Sequence, residues 1–528
     1  MEIIKYWRTG IILLFLSFVF YGRSLNYDFV WDDERAHLTR HENFMSGNLK
    51  AIWSSKGFLY IPFSYTAWYA IKKIAEDKNG NIKPFPFRFT NLLLHGMNAW
   101  LVFLILLTVM KNGSSSFFGS LVFLIHPLQV ESVVWISEFR GLLASFLAYS
   151  SLVIFMNEIE KNDSARKIRN STGYLVSTLL FLLSVLSKPS VIVLPMAIAA
   201  LVWFFYRDRM KACIRSLVLW LLILIPLALI TGATPAPELK FVSVSTWFNP
   251  LIAAYSTGFY FLKIVFPFGL SPCYGVTPVD LMNTAWPFIA LALCIVSAFL
   301  IFKNRNKQSV IIAGIIFLLI ALLPVSGLRS FDYQRFSVVA DRYVYFGMLG
   351  VAMVVTKLWF TGNRVIWMKY LLTGFLLFFM VQNFRQVPVW KNEFALWQAA
   401  HQSNPKQWTA NYNLGVHYMN QNQPGKAVAY YSAAIAANPY EKTVLTNRAN
   451  SLARLKRFNE ALADYDAAIA LDEKDGSIFY NRALTYYNMG ELLKCLDDLE
   501  AAKKRSFPFD ESILRSVRNE LHKKQSAE

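Results

Sequence analysis

Two adjacent carboxylates in an aromatic setting, within Phe29-Val30-Trp31-Asp32-Asp33-Glu34, are the first residues here that could do chemistry. Such a pair supplies a general base, a metal ligand or both. A solvated acidic turn or a helix cap is the plain alternative for Asp32 and Asp33. Further along, Asn91, His95 and Asn98 have i, i+4, i+7 spacing and share one helical face, suited either to a ligand or to hydrogen bonds between helices. A third group runs from His126-Pro127 through Glu131 to Glu138, Phe139 and Arg140, and Glu131, Trp135 and Glu138 are expected on one helical face. The fourth is Lys188, beside Pro189, with Arg335, Asp341, Arg342 and Tyr343. Arginines there could fork onto a lipid phosphate or simply anchor to headgroups.

Together these groups offer a carboxylate base, cations for a phosphate and aromatics for a sugar or lipid. That set suits displacement of a sugar from a lipid phosphate. The carboxylate takes the proton of an acceptor hydroxyl as it attacks the anomeric carbon, and cations stabilise charge growing on the departing phosphate. His95 and the aspartates could hold a divalent cation, although no ligand spacing demands a metal.

The elements that must position these residues belong to a membrane. Of 528 residues, 55% are hydrophobic and 16% aromatic against only 16% charged, which excludes an ordinary soluble multidomain enzyme. An uncleaved first helix covers Gly10 to Tyr21. Apolar runs follow at 89–110, 141–157, 174–187, 189–206, 213–232, 286–302, 309–328, 342–360 and 366–383, with a shorter one from Ser116 to His126.

The formal charge of +19 resides in this apolar part, since the segment from Trp408 onward carries sixteen basic and fifteen acidic residues. Basic loops among hydrophobic spans set membrane orientation, and no basic patch interleaved with stacking aromatics points to nucleic acid. The clusters Lys161/Arg166/Lys167/Arg169, Arg207/Arg209/Lys211/Arg215 and Lys303/Arg305/Lys307 all fall on the cytoplasmic side if residues 249–268 are re-entrant or interfacial rather than a crossing. This gives eleven spans, a cytoplasmic amino terminus, a long first outer loop (22–88) and an outer carboxy-terminal region. Four scattered cysteines, Cys213, Cys273, Cys294 and Cys495, imply neither a disulfide framework nor a zinc site.

After Pro405 the composition changes and a repeat emerges. Tyr412-Asn413-Leu414-Gly415, Thr446-Asn447-Arg448-Ala449 and Tyr480-Asn481-Arg482-Ala483 are 34 residues apart. In the same frame Ala427, Tyr431 and Ala434 match Ala461, Tyr465 and Ala468, with Cys495, Leu499 and Ala502 as a weaker third copy. Small residues that let paired helices approach at this period are the tetratricopeptide pattern, whose concave face commonly takes an extended peptide. The expected organisation is all-α: a multi-span membrane domain (1–390), a linker (391–407), three tetratricopeptide repeats (408–509) and a terminal helix (510–528).

The order of the first-loop WDD motif, Asn91-Leu92-Leu93-Leu94-His95, His126-Pro127 with Glu131 and Arg140, Ser187-Lys188-Pro189, Asp341-Arg342-Tyr343 and terminal repeats resembles one family. It is similar to the transmembrane and tetratricopeptide repeat-containing protein O-mannosyltransferases, within the GT-C superfamily. The resemblance implies a GT-C helix bundle and inverting transfer from a polyprenyl-phosphate sugar to a hydroxyl on the non-cytoplasmic side, often a protein Ser or Thr. It further implies Asp32 as catalytic base, with Asp33 holding the acceptor or the base. The motif's second acid is Asp where related enzymes often carry Glu, and only three repeats are evident. A bacterial inner membrane with a periplasmic first loop and repeats is the preferred setting, or a reticulum membrane with luminal repeats in a eukaryote. No retention signal stands at Gln525-Ser526-Ala527-Glu528. Competing readings are a non-catalytic membrane scaffold for envelope assembly, a transporter of lipid-linked sugar, and a transferase acting on lipid or polysaccharide.

Overall fold

The computed structural model describes residues 6–33, 47–54, 60–162, 164–232, 244–304, 309–362 and 365–527. Glu34, Arg305, Lys307, Arg364 and Glu528 lie outside the described residues. Within them the chain is helical, without a β-strand beyond an isolated bridge between Glu76 and Ile82. Two compact units divide it: residues 1–272 with 276–396, and residues 273–275 with 397–528.

The first unit is a bundle of apolar helices. Among the described residues, four helical stretches are long and apolar enough to cross a bilayer: Trp7–Asn26, Phe85–Met110, Ile136–Lys161 and Ile366–Trp390. At 1.5 Å per residue, the 26-residue Phe85–Met110 helix reaches about 39 Å, more than the roughly 30 Å of hydrocarbon. The Ser116 to His126 run lies in Gly113–Ile125, which continues into Pro127–Val134 through a 52° bend. His126 and Pro127 cause the break, since proline removes a helical donor. Five more apolar helices have 10–17 residues, so the eleven-span reading depends on counting shorter helices as crossings. Residues 249–268 form the 17-residue helix Asn249–Val265, about 26 Å long.

With lipid as solvent, helix association depends on close packing and interhelical hydrogen bonds. Both occur. A Cβ on Gly314 would meet the Gly350 carbonyl oxygen at 2.5 Å, and one on Gly350 would meet that of Gly314 at 2.2 Å, so only glycine lets these helices touch. Asn383 Nδ2 donates to the Tyr21 hydroxyl (2.8 Å), which donates to the Leu124 carbonyl (2.9 Å).

The second unit contains helix pairs Trp408–Asn420/Pro424–Ala437, Lys442–Arg454/Phe458–Leu471 and Gly476–Met489/Leu492–Lys504, then the helix Glu511–Ala527. Ala427, Tyr431 and Ala434, and their counterparts 34 and 68 residues on, are buried as the repeat requires. A Cβ on Gly415 would lie 2.5 Å from the Tyr431 ring, which explains glycine there. Arg448 grips Asp464 through two 2.7 Å bonds, and Arg482 grips Asp498 identically, one repeat later. Such planar forks fix the second and third helix pairs; the first repeat has Leu414 and Tyr430 at those positions. Leu514 and Val517 of the last helix cover Leu492 and Leu499.

One boundary is corrected. Residues 391–407 are not a bare linker, because Glu393–Ser403 is helical and buries Leu396, Trp397 and Ala400. Their i, i+1, i+4 spacing is an apolar face inside an otherwise polar window.

Candidate active site

Asp32 and Asp33 follow the first helix in a short loop held by aromatic stacking. Trp31 has φ of 60°, a left-handed conformation that a bulky residue adopts only under constraint. The constraint is visible: its indole stacks on Trp135 at 4.8 Å and 13°, and Trp135 stacks on Trp390 at 5.7 Å. Asp33 is fully buried and acts as the second clamp. Its Oδ2 accepts the Val30 amide (3.1 Å), and its Oδ1 accepts both the Ser137 amide (2.9 Å) and hydroxyl (2.7 Å). Asp32, next in the chain, is only half-buried. The two aspartates therefore differ in burial: Asp33 is fully enclosed, whereas Asp32 is partly exposed with its Oδ1 buried.

The expected continuous helical face for Glu131, Trp135 and Glu138 does not form. The helix Val130–Val134 ends at Trp135, whose backbone is extended (ψ 123°), and a 3-10 turn Ile136–Glu138 follows. The carbonyls freed by this break find new donors. Asn91 Nδ2 donates to those of Val133 (3.2 Å) and Trp135 (3.1 Å), and Arg88 donates to that of Val134. Arg88 also donates to the Asp28 carbonyl, tying the aspartate loop to the same turn.

The break nonetheless brings both glutamates onto one cation. Arg342 Nη1 lies 2.5 Å from Glu131 Oε1, and its amide donates to Glu131 Oε2 (3.2 Å). Its Nε is 3.8 Å from Glu138 Oε1. Glu138 also meets Lys188 Nζ at 2.7 Å and Arg140 Nη2 at 3.5 Å. Two carboxylates against Arg140, Lys188 and Arg342 leave one formal positive charge. Aromatic rings enclose Arg342: its guanidinium carbon is 4.2 Å from the Tyr333 ring centre, 5.0 Å from Tyr343 and 5.3 Å from Trp135. A cation so engaged has little left for a phosphate. Arg140 and Lys188, with side chains 16% and 17% exposed, are the cluster's accessible edge.

Tyr65 lies on the helix Pro62–Ala75 of the first loop, with its ring 5.7 Å from that of Trp68. Burial raises its hydroxyl above the ordinary value and pushes that of Tyr343 up to about 12, so both remain neutral donors. Burial also lifts the Asp33 carboxyl to about 7, against the lowering effects of Arg88 and the Ser137 hydrogen bond. Lys188 is held below its usual value, chiefly by burial and opposed by Glu138.

Two expected substrate contacts lie elsewhere. His95 is fully buried with both ring nitrogens bonded: Nε2 donates to the Leu124 carbonyl (2.9 Å), so Nδ1 accepts from the Tyr345 hydroxyl (2.9 Å). Asn98 donates to that same hydroxyl (3.1 Å) and to the Leu142 carbonyl (3.1 Å). The Asn91/His95/Asn98 face thus pins helices together, the alternative reading of its spacing. Arg335 is half-exposed and pairs with Asp332 at 3.6 Å on its own turn.

Sequence reasoning missed Arg88, Tyr65, Ser137 and Tyr333. Arg88 had a signal, because it precedes Asn91 and His95 at helical spacing; the others had none. Among the described residues, no three His, Cys, Asp or Glu side chains gather as metal ligands would.

Two family models match the second unit: a tetratricopeptide repeat at 395–442 and a TPR repeat at 449–490. Curated relatives are named protein O-mannosyl-transferases. Tmtc1 of Drosophila melanogaster is 28% identical over 142 residues, covering 25% of this chain and 16% of the relative. TMTC4 of Mus musculus is 22% identical over 495 residues, covering 80% and 65%. F38B6.6 of Caenorhabditis elegans is 22% identical over 437 residues, covering 77% and 59%. The matches span less than two thirds of each relative's length.

Proposed function

We propose that this chain, a relative of the transmembrane and tetratricopeptide repeat-containing protein O-mannosyl-transferases, is an inverting glycosyltransferase. It moves a hexose, mannose in the first instance, from a polyprenyl phosphate to a Ser or Thr hydroxyl of a protein on the non-cytoplasmic face of a membrane. One observation carries the reading: the Trp31–Trp135 stack and the Asp33–Ser137 hydrogen bonds hold the loop of the half-buried Asp32 against the turn whose Glu138 meets Lys188 and Arg140.

In this mechanism Asp32 accepts the proton of the acceptor hydroxyl. The acceptor oxygen attacks the anomeric carbon from the face opposite the phosphate, the carbon–oxygen bond to phosphate breaks, and polyprenyl phosphate leaves with the bonding electrons. Arg140 and Lys188 offset the charge on the departing phosphate. Asp33 is a positioning residue: its three accepted hydrogen bonds fix the loop that presents Asp32. Glu131 and Glu138 hold Arg342 and Lys188 in place rather than reacting.

Basic residues that flank the apolar helices support placing the first loop and the repeats outside the cytoplasm. The test uses purified protein in lipid vesicles with radiolabelled polyprenyl-phosphate mannose and an extract of secreted proteins. Label released from Ser or Thr of the acceptors is expected. Absence of label from protein, with transfer to a lipid or polysaccharide instead, would replace the protein acceptor with that class.

A further inference from the structure

A recess in the helix bundle takes no part in the chemistry above. The helix Leu194–Phe205 packs against Ser309–Leu322, and Asn249–Val265 packs against Trp286–Asn304. Gly258 permits close approach within the second pair, since a Cβ there would lie 3.5 Å from that of Ala290. Between the two pairs lies a cleft of about 1830 Å³, to which all four helices contribute. Most of its walls are aliphatic or aromatic, and the hydroxyl of Thr257 is spent on the Ala253 carbonyl (2.8 Å). Of its described lining residues, only Arg207 carries a charge.

A void of this size forfeits the dispersion contacts of the side chains that line it, and its walls offer water almost no partner. An apolar chain restores those contacts. The length agrees with such an occupant. From Trp286 to Ala298 the cleft follows one helix for roughly 18 Å, slightly more than half of the roughly 30 Å of hydrocarbon in a bilayer.

Arg207 gives the occupant a head and a direction. It is exposed just beyond Leu194–Phe205, with its guanidinium carbon 4.5 Å from the Trp203 ring centre. Neighbouring Asp208 pairs with Arg209 at 3.0 Å, and among the described residues no carboxylate pairs with Arg207. Lys211 and Arg215 follow, so the turn carries a surplus of positive charge. Ala298 and Ile312 lie towards the same end of the bundle, because Lys303 stands in the last turn of one helix and Ser309 opens the other. Basic turns between apolar helices face the cytoplasm. Arg140 and Lys188 belong to the opposite side, since the apolar stretch Pro189–Phe205 separates Lys188 from Arg207 by roughly 26 Å. A phosphate on Arg207 is therefore not the one on which sugar transfer acts.

We propose that this cleft binds an anionic phospholipid of the cytoplasmic leaflet, with an acyl chain between the two helix pairs and its phosphate on the Arg207 guanidinium. A basic recess between helices at the cytoplasmic side suits such a headgroup, and the arginine fork matches its phosphate oxygens. The bound lipid joins one helix pair to the other and so stabilises the folded bundle by mass action.

The test uses the full-length protein in detergent, without sugar donor. Phosphatidylglycerol and phosphatidylcholine with identical chains are compared, each carrying a photoreactive diazirine in one chain. Phosphatidylglycerol should raise the unfolding temperature more than phosphatidylcholine, and illumination should label residues within 255–262, 286–298 or 312–319. Arg207→Gln should weaken phosphatidylglycerol binding about tenfold or more, as loss of a charge-assisted hydrogen bond allows, and abolish the difference between the two lipids. Ala298→Phe fills the cleft from the chain side and should reduce labelling by both lipids, with an unchanged circular dichroism spectrum. Equal binding of the two lipids to the wild type, labelling confined to other helices, or phosphatidylglycerol affinity unchanged in both variants would overturn the proposal. So would displacement of the photoreactive lipid from those helices by equimolar polyprenyl phosphate, which would give the cleft to the tail of a sugar carrier. Because labelling is read without donor, a protein that transfers no sugar would leave the phospholipid site intact.

Discussion

The indole of Trp31 lies flat against that of Trp135, 4.8 Å away and 13° from parallel, although 104 residues separate them in the chain. The stack holds the left-handed Trp31 backbone and brings the aspartate loop beside the turn that carries Glu131 and Glu138. Asp33 repeats the connection two residues later through Ser137. Two independent links at one junction argue that the position of Asp32 is specified rather than incidental.

The buried pair of Glu131 and Arg342 should behave as a unit. Their side chains are 2% and 6% exposed, so removing one partner leaves an uncompensated charge in a dry site. Arg342→Met alone is expected to cost about 3–5 kcal/mol. Glu131→Gln combined with Arg342→Met should recover part of that loss. Thermal unfolding in detergent of both single variants and the double variant measures the coupling; simple additivity would contradict it.

Arg140 lies at the accessible edge of the cluster, where it makes a long 3.5 Å contact with Glu138. Its loss should weaken donor binding more than the fold. Arg140→Gln is expected to raise the KM for donor by about ten- to a hundredfold, the range for a lost charge-assisted hydrogen bond, with little change in unfolding temperature. Steady-state kinetics against donor concentration, paired with a melting curve, separate the two effects. An unchanged KM would remove Arg140 from the phosphate site.

Asp33 gives stability a pH dependence of definite sign. Its carboxyl rises from an ordinary 3.8 to about 7 in the folded protein. The folded state therefore binds the proton more tightly than the unfolded state, and this contribution is full below about pH 4 and lost as pH rises towards about 7. Asp33→Asn cannot titrate. Melting curves from pH 5 to pH 8 should show the wild type losing stability relative to the variant as pH rises; parallel curves would mean that Asp33 does not titrate there.

Much of the architecture was legible in the sequence because it repeats or is compositionally extreme. The 34-residue period placed the second unit, and long apolar runs placed the bundle. The glutamates were identified as a group, but the geometry that joins them was not. A run such as Val130-Glu131-Ser132-Val133-Val134-Trp135 reads as uninterrupted helix, and only the Arg88 and Asn91 side chains arriving from another helix compensate the break at Trp135. The role of His95 was equally hidden, since a ligand and an interhelical pin share the same spacing and differ only in what lies opposite. Leu396, Trp397 and Ala400 were overlooked because a short apolar face is diluted in a polar window.

The central claim is that Asp32 is the base. The most direct measurement compares wild type and Asp32→Asn for retention of radiolabelled polyprenyl-phosphate mannose and for transfer of label to protein. Loss of transfer by about a hundredfold or more with donor binding retained is the predicted result, in line with removal of a general base. Transfer retained in the Asp32→Asn variant would contradict the assignment and move the chemistry to another residue.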